Sequence, residues 1–552
     1  ATVQAILASR IDRLSTAEKE LLQTLAVLGR EFSSRLIKRV ARKSDDELER
    51  MLSELQLAEF IYEQPAVGDV EYTFKHALTL EVAYNSVLVE RRRLLHERAA
   101  QAIEALFSDR LEDHLSELAH HYDRSGNVRK AVEYLERAGK RAAGQVAHSE
   151  AVAYLNRALE LLQRLPEGAE RDRRELNLRM ALSWSLFALS PEGAERERAL
   201  LRVQQLSEQF GERERLMEAL LHLGLIRQLR QDFGAAQELA HRVLALAQPG
   251  IAEPAVAGAH LVLGITFFHL GELQASRKHL ELAGAPLNAE SVRDFAAGQY
   301  AESATASLTT TLLLLGYPAA AERMSREFVA AMRRLSNPVS IQRSLLRGTA
   351  VHRLLRDSRT ALKQAEEALS IATDIGMTIS ANLAAFSRGK ALADGGRGQE
   401  GIAEMSRTIA SLQGTQVISM SYAQLAESLG QNGRPAEGLA AVAWGLEEVE
   451  RSGSRVSLPH LYQVQGELVL LSDPASAAEA ERHFRAAIDV AREQQARFWE
   501  LRATISLARL VHKQGKIDEA RAMLAAIYDW FTEGFEFPDL KEARALLDEL
   551  GG

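Results

Sequence analysis

Small residues return at fixed intervals along most of this chain, and that recurrence limits what it can fold into. In "LAHHYDRSGNVRKAVEYLERA", Leu118, Ala119, Tyr122, Gly126, Ala131, Leu135 and Ala138 mark out two helices joined at Gly126. The same template fits Leu263, Gly264, Phe267, Gly271, Leu280 and Ala283. It fits again at Gly389, Leu392, Gly396, Gly401 and Met405, at Leu425, Ala426, Leu429, Gly433, Gly438 and Val442, and at Leu507, Ala508, Val511, Gly515, Ala520 and Leu524. Looser copies lie near Gly224, Gly316, Ala361 and Gly466. Small side chains let two helices approach closely, where large ones would overpack the contact. One such pair cannot bury its own apolar stripe, so neighbouring pairs must stack to do so.

These spacings are those of the tetratricopeptide repeat. Successive copies from residue 220 onward begin about 40 residues apart, more than the minimal repeat of about 34. The expected fold class is therefore all-α: a tetratricopeptide-like, right-handed superhelical solenoid, preceded by a small winged-helix domain with one β-hairpin. The expected division is 1–107 for the winged helix, 108–200 for the first repeat-like helices and an irregular link, and 201–552 for the main array. "DLKEARALLDELGG" reads as its terminal capping helix.

The winged-helix expectation comes from element order. "STAEKELLQTLAVLG" has Ser15 and Glu18 in capping-box spacing and closes on Gly29. A short helix in "SSRLIKRVAR" and a third in "DDELERMLSELQLAEF" follow. "FIYEQPAVGDVEYTFKH" then reads as strand, Pro/Gly turn, strand, with Val70, Tyr72 and Phe74 alternating against polar neighbours. His76 stands where the second strand stops and the next helix begins. There a histidine can donate to an anion at the positive end of a helix, or simply cap it.

The sequence offers little chemistry of its own. With 552 residues, net charge −8 and no cysteine, it has no global field for nucleic acid and no thiolate site. The longest apolar runs, "LVLGITFFHLG" and "TLLLLG", fall short of a membrane span. GxxxxGK[ST], HExxH, GxSxG and an EF-hand loop are all missing. The expectation is a cytoplasmic chain that is not an enzyme, with no catalytic residue, no metal and no cofactor. His114 and His121 lie seven apart, near His120, Asp113 and Asp123; a metal or enzymatic site there competes with buried or capping histidines. Basic "ERRRLLHER" and "SSRLIKRVARKS" suit phosphate contacts or solvated faces with acidic neighbours.

"TVQAILASRIDRLS", "EYTFKHALTLEVAYNSVL" and "RRRLLHERAAQAIE" resemble the winged-helix segment that follows the ATPase core in bacterial STAND-type signalling ATPases. The likeness is nearest to proteins that join a class III adenylate/guanylate cyclase, an AAA-like ATPase and a tetratricopeptide array. The tail from Trp499 to Leu550 is similar to that family's closing repeats. The resemblance implies a C-terminal portion of such a protein, with ATP or ADP held by an upstream domain. It also implies that His76, in "KHA", reads the β-phosphate of bound ADP; Lys75 and Ala77 replace the family's Met and Asp. The implied role is a regulatory and protein-interaction module, coupling a protein partner or small effector in the repeat groove to the upstream nucleotide state. No membrane or nucleic-acid partner is expected. An ATPase-type transcriptional regulator linked to DNA and a plain repeat scaffold are the alternatives.

Overall fold

The computed structural model describes residues 3–66, 69–145, 147–190, 192–248, 250, 252–284 and 295–551. Among these, the chain forms 28 α-helices and three short strands, in two compact units, Ala1–Phe210 and Gly211–Gly552.

The first unit opens with α1 (Val3–Asp12), α2 (Thr16–Leu28), β1 (Glu31–Ser33), α3 (Ser34–Ala41) and α4 (Asp45–Leu57). The hairpin β2 (Ile61–Ala66) and β3 (Asp69–Phe74) follows, then α5 (Ala77–Asn85) and α6 (Val89–Leu106). The capping box forms: Ser15 Oγ accepts from the Glu18 amide at 3.3 Å, and Glu18 Oε2 accepts from the Ser15 amide at 3.0 Å. The hairpin turn at Val67 and Gly68 lies outside the described residues.

The strands form an antiparallel sheet in the order β1-β3-β2, with Phe32 opposite Tyr72 and Ile61 opposite Phe74. β1 is an addition to the sequence reading. At three residues it is too short to show a two-residue period, and it exists because β3 offers it a free edge. Phe32 and Phe74 meet edge to face at 5.8 Å over a core of Leu22, Leu25, Ile37 and Leu55.

After a 3-10 turn at Leu111–His114 come α7 (Leu115–Ser125), α8 (Val128–Gly144), α9 (His148–Leu162), α10 (Ala169–Leu189) and α11 (Ala194–Phe210). α6 belongs to two cores at once. Ala99 and Ala102 face the sheet-bearing core, whereas Ala100 and Ile103 face the core built by α7 to α11. Polar contacts reinforce that joint. Glu104 accepts from Tyr122 at 2.6 Å and Tyr134 at 2.5 Å, and pairs with Lys130 at 3.0 Å. His96 meets His121 at 2.9 Å, with Tyr84 3.0 Å from its other nitrogen.

The second unit is a run of helix pairs: α12 (Arg213–Leu229) with α13 (Phe233–Leu246), α14 (Glu253–Leu270) with α15 (Leu273–Ala283), and α16 (Phe295–Leu315) with α17 (Pro318–Leu335). Then come α18 (Pro338–Leu354) with α19 (Ser358–Asp374), α20 (Thr378–Asp394) with α21 (Gly398–Ile409), and α22 (Ile418–Gln431) with α23 (Pro435–Ser452). α24 (Leu458–Ser472) with α25 (Ala477–Glu493), α26 (Arg497–Lys513) with α27 (Ile517–Tyr528), and a last helix α28 (Pro538–Leu550) complete it. First helices follow one another at intervals of about 40 residues, and each packs on the next first helix. The result is an all-α solenoid of stacked pairs.

The small residues of the template sit at the helix crossings. A Cβ on Gly401 would lie 2.3 Å from the Gly389 carbonyl oxygen, and one on Gly466 would lie 2.6 Å from the Phe484 ring. The array also touches itself across distant repeats. Ala320 N donates to Glu533 at 2.9 Å, Arg455 N to the His269 carbonyl at 2.7 Å, and Arg502 to the Leu354 carbonyl at 2.7 Å. α14 is the one helix among the described residues long and apolar enough to cross a membrane; half of it is buried inside the array.

Gly401→Ala is expected to destabilise the second unit by about 1–3 kcal/mol, because only backbone could move to admit the methyl group. Gly234→Ala, on an open face of α13, is expected to be neutral or slightly stabilising. Urea midpoints of the two variants check this.

The His96–His121 contact generates a second expectation. Burial, with repulsion from neighbouring histidines, pushes His96 down to about 3; burial and His120 do the same to His121, also about 3. Both are neutral in the fold at pH 7. Below about pH 6.5 the unfolded chain takes up protons that the folded chain refuses, so stability falls with pH toward about 3. Hydrogen exchange in α6 and α7 should quicken between pH 6.5 and about 4, and changing both histidines to Gln should flatten that dependence. An equal loss of protection in both proteins would assign the effect elsewhere.

Candidate functional site

The first helices of successive pairs line a cavity of about 390 Å³ inside the second unit. α12 contributes Gln228 and Leu229, α14 Phe268 and His269, and α16 Glu302 to Thr310. α18 brings Gln342, Arg343, Arg347 and Arg353, while α20 and α22 close the far wall with Phe386, Met420 and Gln424. Phe328 of α17, and Gln416 and Val417 in the turn before α22, are the exceptions to the first-helix rule. Gln228 and Gln416 seal part of the wall: Gln228 Nε2 donates to Gln416 Oε1 at 3.0 Å, and Gln416 Nε2 donates back to the Gln228 carbonyl.

The cavity wall is apolar in most places, with cations at one side. α18, "PVSIQRSLLRGTAVHRL", carries three arginines and no carboxylate, in a chain that is acidic overall. Arg343 and Arg347 stand one turn apart on the inward face. Arg347 is open to the cavity, and among the described residues neither an ion pair nor a hydrogen bond holds its guanidinium. Burial, then repulsion from Arg343, pulls its pKa below the ordinary arginine value. Arginine nonetheless stays charged in proteins, so the cation remains and faces the cavity.

Arg343 is shifted the same way by burial, with Glu302 opposing. Glu302 itself is raised by burial, against hydrogen bonding from Ser340 at 3.0 Å and attraction to Arg343. His269 is pushed down to about 4 by burial and by Arg347, so it adds no charge at pH 7. Gln342 is fully buried in the wall, and neither amide atom has a hydrogen-bond partner.

A second cavity of about 280 Å³ shares Arg353 and Gln424 with the first and differs in character. Most of its charges are matched internally. Lys390 pairs with Asp394 and, at 3.0 Å, with Glu427. Arg502 grips Asp539 through two bonds of 3.0 Å, and Arg356 and Arg509 reach Glu542 at 2.5 and 2.7 Å. Burial would raise Glu427, yet Lys390 and the other cations win and hold it well below the usual carboxylate range. His460 stacks on Trp499 at 4.4 Å and is pushed down to about 4 by burial. Among the described residues, neither ring nitrogen of His460 has a hydrogen-bond partner.

His76 occupies the N-cap position of α5 with extended backbone. Its side chain is exposed and makes no capping hydrogen bond, so the simple-cap reading does not describe it. Lys75 beside it pairs with Glu59 at 2.9 Å. Of the histidines around residue 120, His114 stands apart, while His120 and His121 both lie against His96. His114 stacks on Phe107 at 3.9 Å and bonds Glu117 at 3.1 Å, while His121 turns to His96. Asp123 is taken by Arg157 at 2.9 Å. The basic stretches have acidic neighbours: Lys38 meets Asp45 at 3.1 Å and Arg91 meets Glu20 at 3.1 Å.

Arg343 and Arg347 were not singled out by motif. Their signal was a repeat helix with several arginines and no acid to balance them.

No family model matches the sequence. A stretch of 165 residues, 30% of the chain, is 30% identical to an uncharacterized protein of Rhizobium meliloti (strain 1021), and it spans 16% of that relative's length. Among solved structures, a Rap protein complexed with competence and sporulation factor superposes on 70% of this chain and 99% of its own, at 13% identity and TM-score 0.41. A STAND protein with a tetratricopeptide repeat sensor, from Pyrococcus horikoshii, covers 100% of this chain and 67% of its own, at 12% identity and TM-score 0.28. The helix pairing described above, rather than these loose superpositions, defines the fold.

Arg347→Met is expected to leave the ligand-free chain as stable or slightly more stable, since it removes the repulsion from Arg343 and keeps an apolar stem. A thermal melt of the purified chain checks the sign.

Proposed function

We propose that this chain is the regulatory and partner-binding part of a bacterial signalling ATPase, of the kind that joins a nucleotide cyclase, an ATPase and a tetratricopeptide array. The observation that carries the reading is the cavity shared by six successive first helices, α12 to α22. A ligand there touches many repeats at once. It can therefore favour one arrangement of the array over another, which is the requirement for shifting a switch. The chain itself binds rather than turns over substrate.

In this reading the sheet-bearing segment through residue 107 is a winged helix that passes the nucleotide state of an upstream ATPase domain. α6 supports that role, because its two faces are buried in adjacent cores and it cannot move without disturbing both. His76 is the residue proposed to meet the ADP phosphate. Its exposure and its place at the start of α5 fit an incoming anion. The DNA-linked alternative is less well supported by the helix before the hairpin: α4 carries five carboxylates and one arginine, a poor match for a phosphate backbone. A plain scaffold would bind its partner without regard to nucleotide.

The test uses the full-length protein. His76→Ala is expected to weaken ADP retention by about ten- to a hundredfold, the worth of one charge-assisted hydrogen bond, and to raise basal activity. Unchanged ADP affinity and unchanged basal activity would overturn the proposal for His76. Partner binding that ignores nucleotide would favour the scaffold.

A further inference from the structure

We propose that the cavity in the second unit binds a small organic anion, its oxyanion head held by Arg343 and Arg347 and its apolar body lying against Phe268, Phe328, Leu346 and Met420. The inference deepens the effector reading above and rests on it only for the idea that the chain has an effector.

Charge is the first argument. Arg343 and Arg347 stand one helical turn apart and face the same space. Glu302 is the one carboxylate in the cavity lining among the described residues; it attracts Arg343 and is already engaged by Ser340 at 3.0 Å. Arg347 has no such neighbour, and the charged group that perturbs it is another cation. Two like charges one turn apart on the same cavity wall repel each other, and an anion supplied from outside relieves that repulsion. A planar guanidinium offers paired N–H donors that match a carboxylate or phosphate oxygen pair. The neighbouring cavity shows the contrast. There Lys390, Arg502, Arg356 and Arg509 each have a carboxylate, and Arg353 feels the attraction of Asp394 and Glu427.

Shape and polarity set the rest of the ligand. The volume of about 390 Å³ lies toward the small end of small-molecule sites. The contacts between distant repeats close the wall: Gln228 with Gln416, and Arg455 with the His269 carbonyl. A folded domain cannot enter, and a long peptide has no room. The walls away from α18 present aromatic and aliphatic carbon together with hydroxyls such as Ser307 and Thr310. A head-and-body anion satisfies both regions. Bare phosphate satisfies one.

The experiment is titration calorimetry of the purified chain with octanoate, octyl phosphate, 1-octanol and inorganic phosphate as probes. One molecule of octanoate or octyl phosphate per chain is expected, and whichever is tighter identifies the head group. Octanol and inorganic phosphate should each bind at least about tenfold more weakly. Arg347→Met should weaken octanoate by about tenfold or more and leave octanol unchanged, with Arg347→Lys in between. If the Met variant fails to fold, modification of the wild-type arginines by phenylglyoxal takes its place; octanoate should protect Arg347 in a peptide map.

Equal affinity for octanoate and octanol, no binding of either octyl anion, or octanoate binding that ignores Arg347 would overturn the inference. So would an acidic heptapeptide that displaces octanoate and binds more tightly. The outcomes separate from those of the wider proposal. A chain that binds octanoate through Arg347 in a parent protein with no nucleotide response retires the wider proposal alone. A nucleotide-coupled parent whose chain ignores the octyl anions retires this inference alone.

Discussion

The structure of the second unit depends on helices coming close enough for backbone to meet backbone. Gly389 and Gly401 show the limit, because a single methyl group on either would strike main-chain atoms of the other helix. At Gly264 and Gly466 the crossing helix instead drives Leu280 and Phe484 into the space that a side chain would fill. These contacts fix how each pair sits and so how the next one stacks. Each first helix then has one neighbour before it and one after, and its remaining face turns inward. That inward face is where the cavity lies, so packing and binding are set by the same spacing.

The first unit solves a different problem. It must connect a small sheet-bearing domain to a helical stack without a loose hinge. α6 does this by alternating its alanines: Ala99 and Ala102 toward the sheet, Ala100 toward the repeats. Polar groups sharpen the joint at both ends. Glu104 takes two tyrosine hydroxyls and a lysine, with burial opposing its charge and those donors restoring it. His96 and His121 share a contact that two protonated rings could not keep.

Much of this was legible in the sequence, because it is local. Ser15 and Glu18 announce a helix start; Val70, Tyr72 and Phe74 announce a strand; Gly264, Gly389 and Gly401 announce close crossings. Each signal lies within a few residues of its effect. What was hidden depends on residues far apart in the chain. β1 is visible only through its pairing with β3 about 40 residues later. The cavity needs Gln228 beside Gln416, and no periodicity connects those two positions. Arg343 and Arg347 were ordinary surface arginines by type; only the stack of helices around them makes them inward. His114 and His121 showed the reverse. They were near in sequence and the fold gave them different partners.

The self-contacts of the array carry a consequence for how it comes apart. A stack in which every repeat touches only its neighbours melts piecemeal, from its ends or from any weak unit. Here Trp530 packs against Gly316, Glu533 caps α17, and Arg502 reaches the end of α18. Removing the last repeats therefore strips support from the middle ones, and fraying at the tail is resisted by residues some two hundred positions upstream. Such a chain behaves less like a row of dominoes than like an arch, in which the terminal stones bear on the crown.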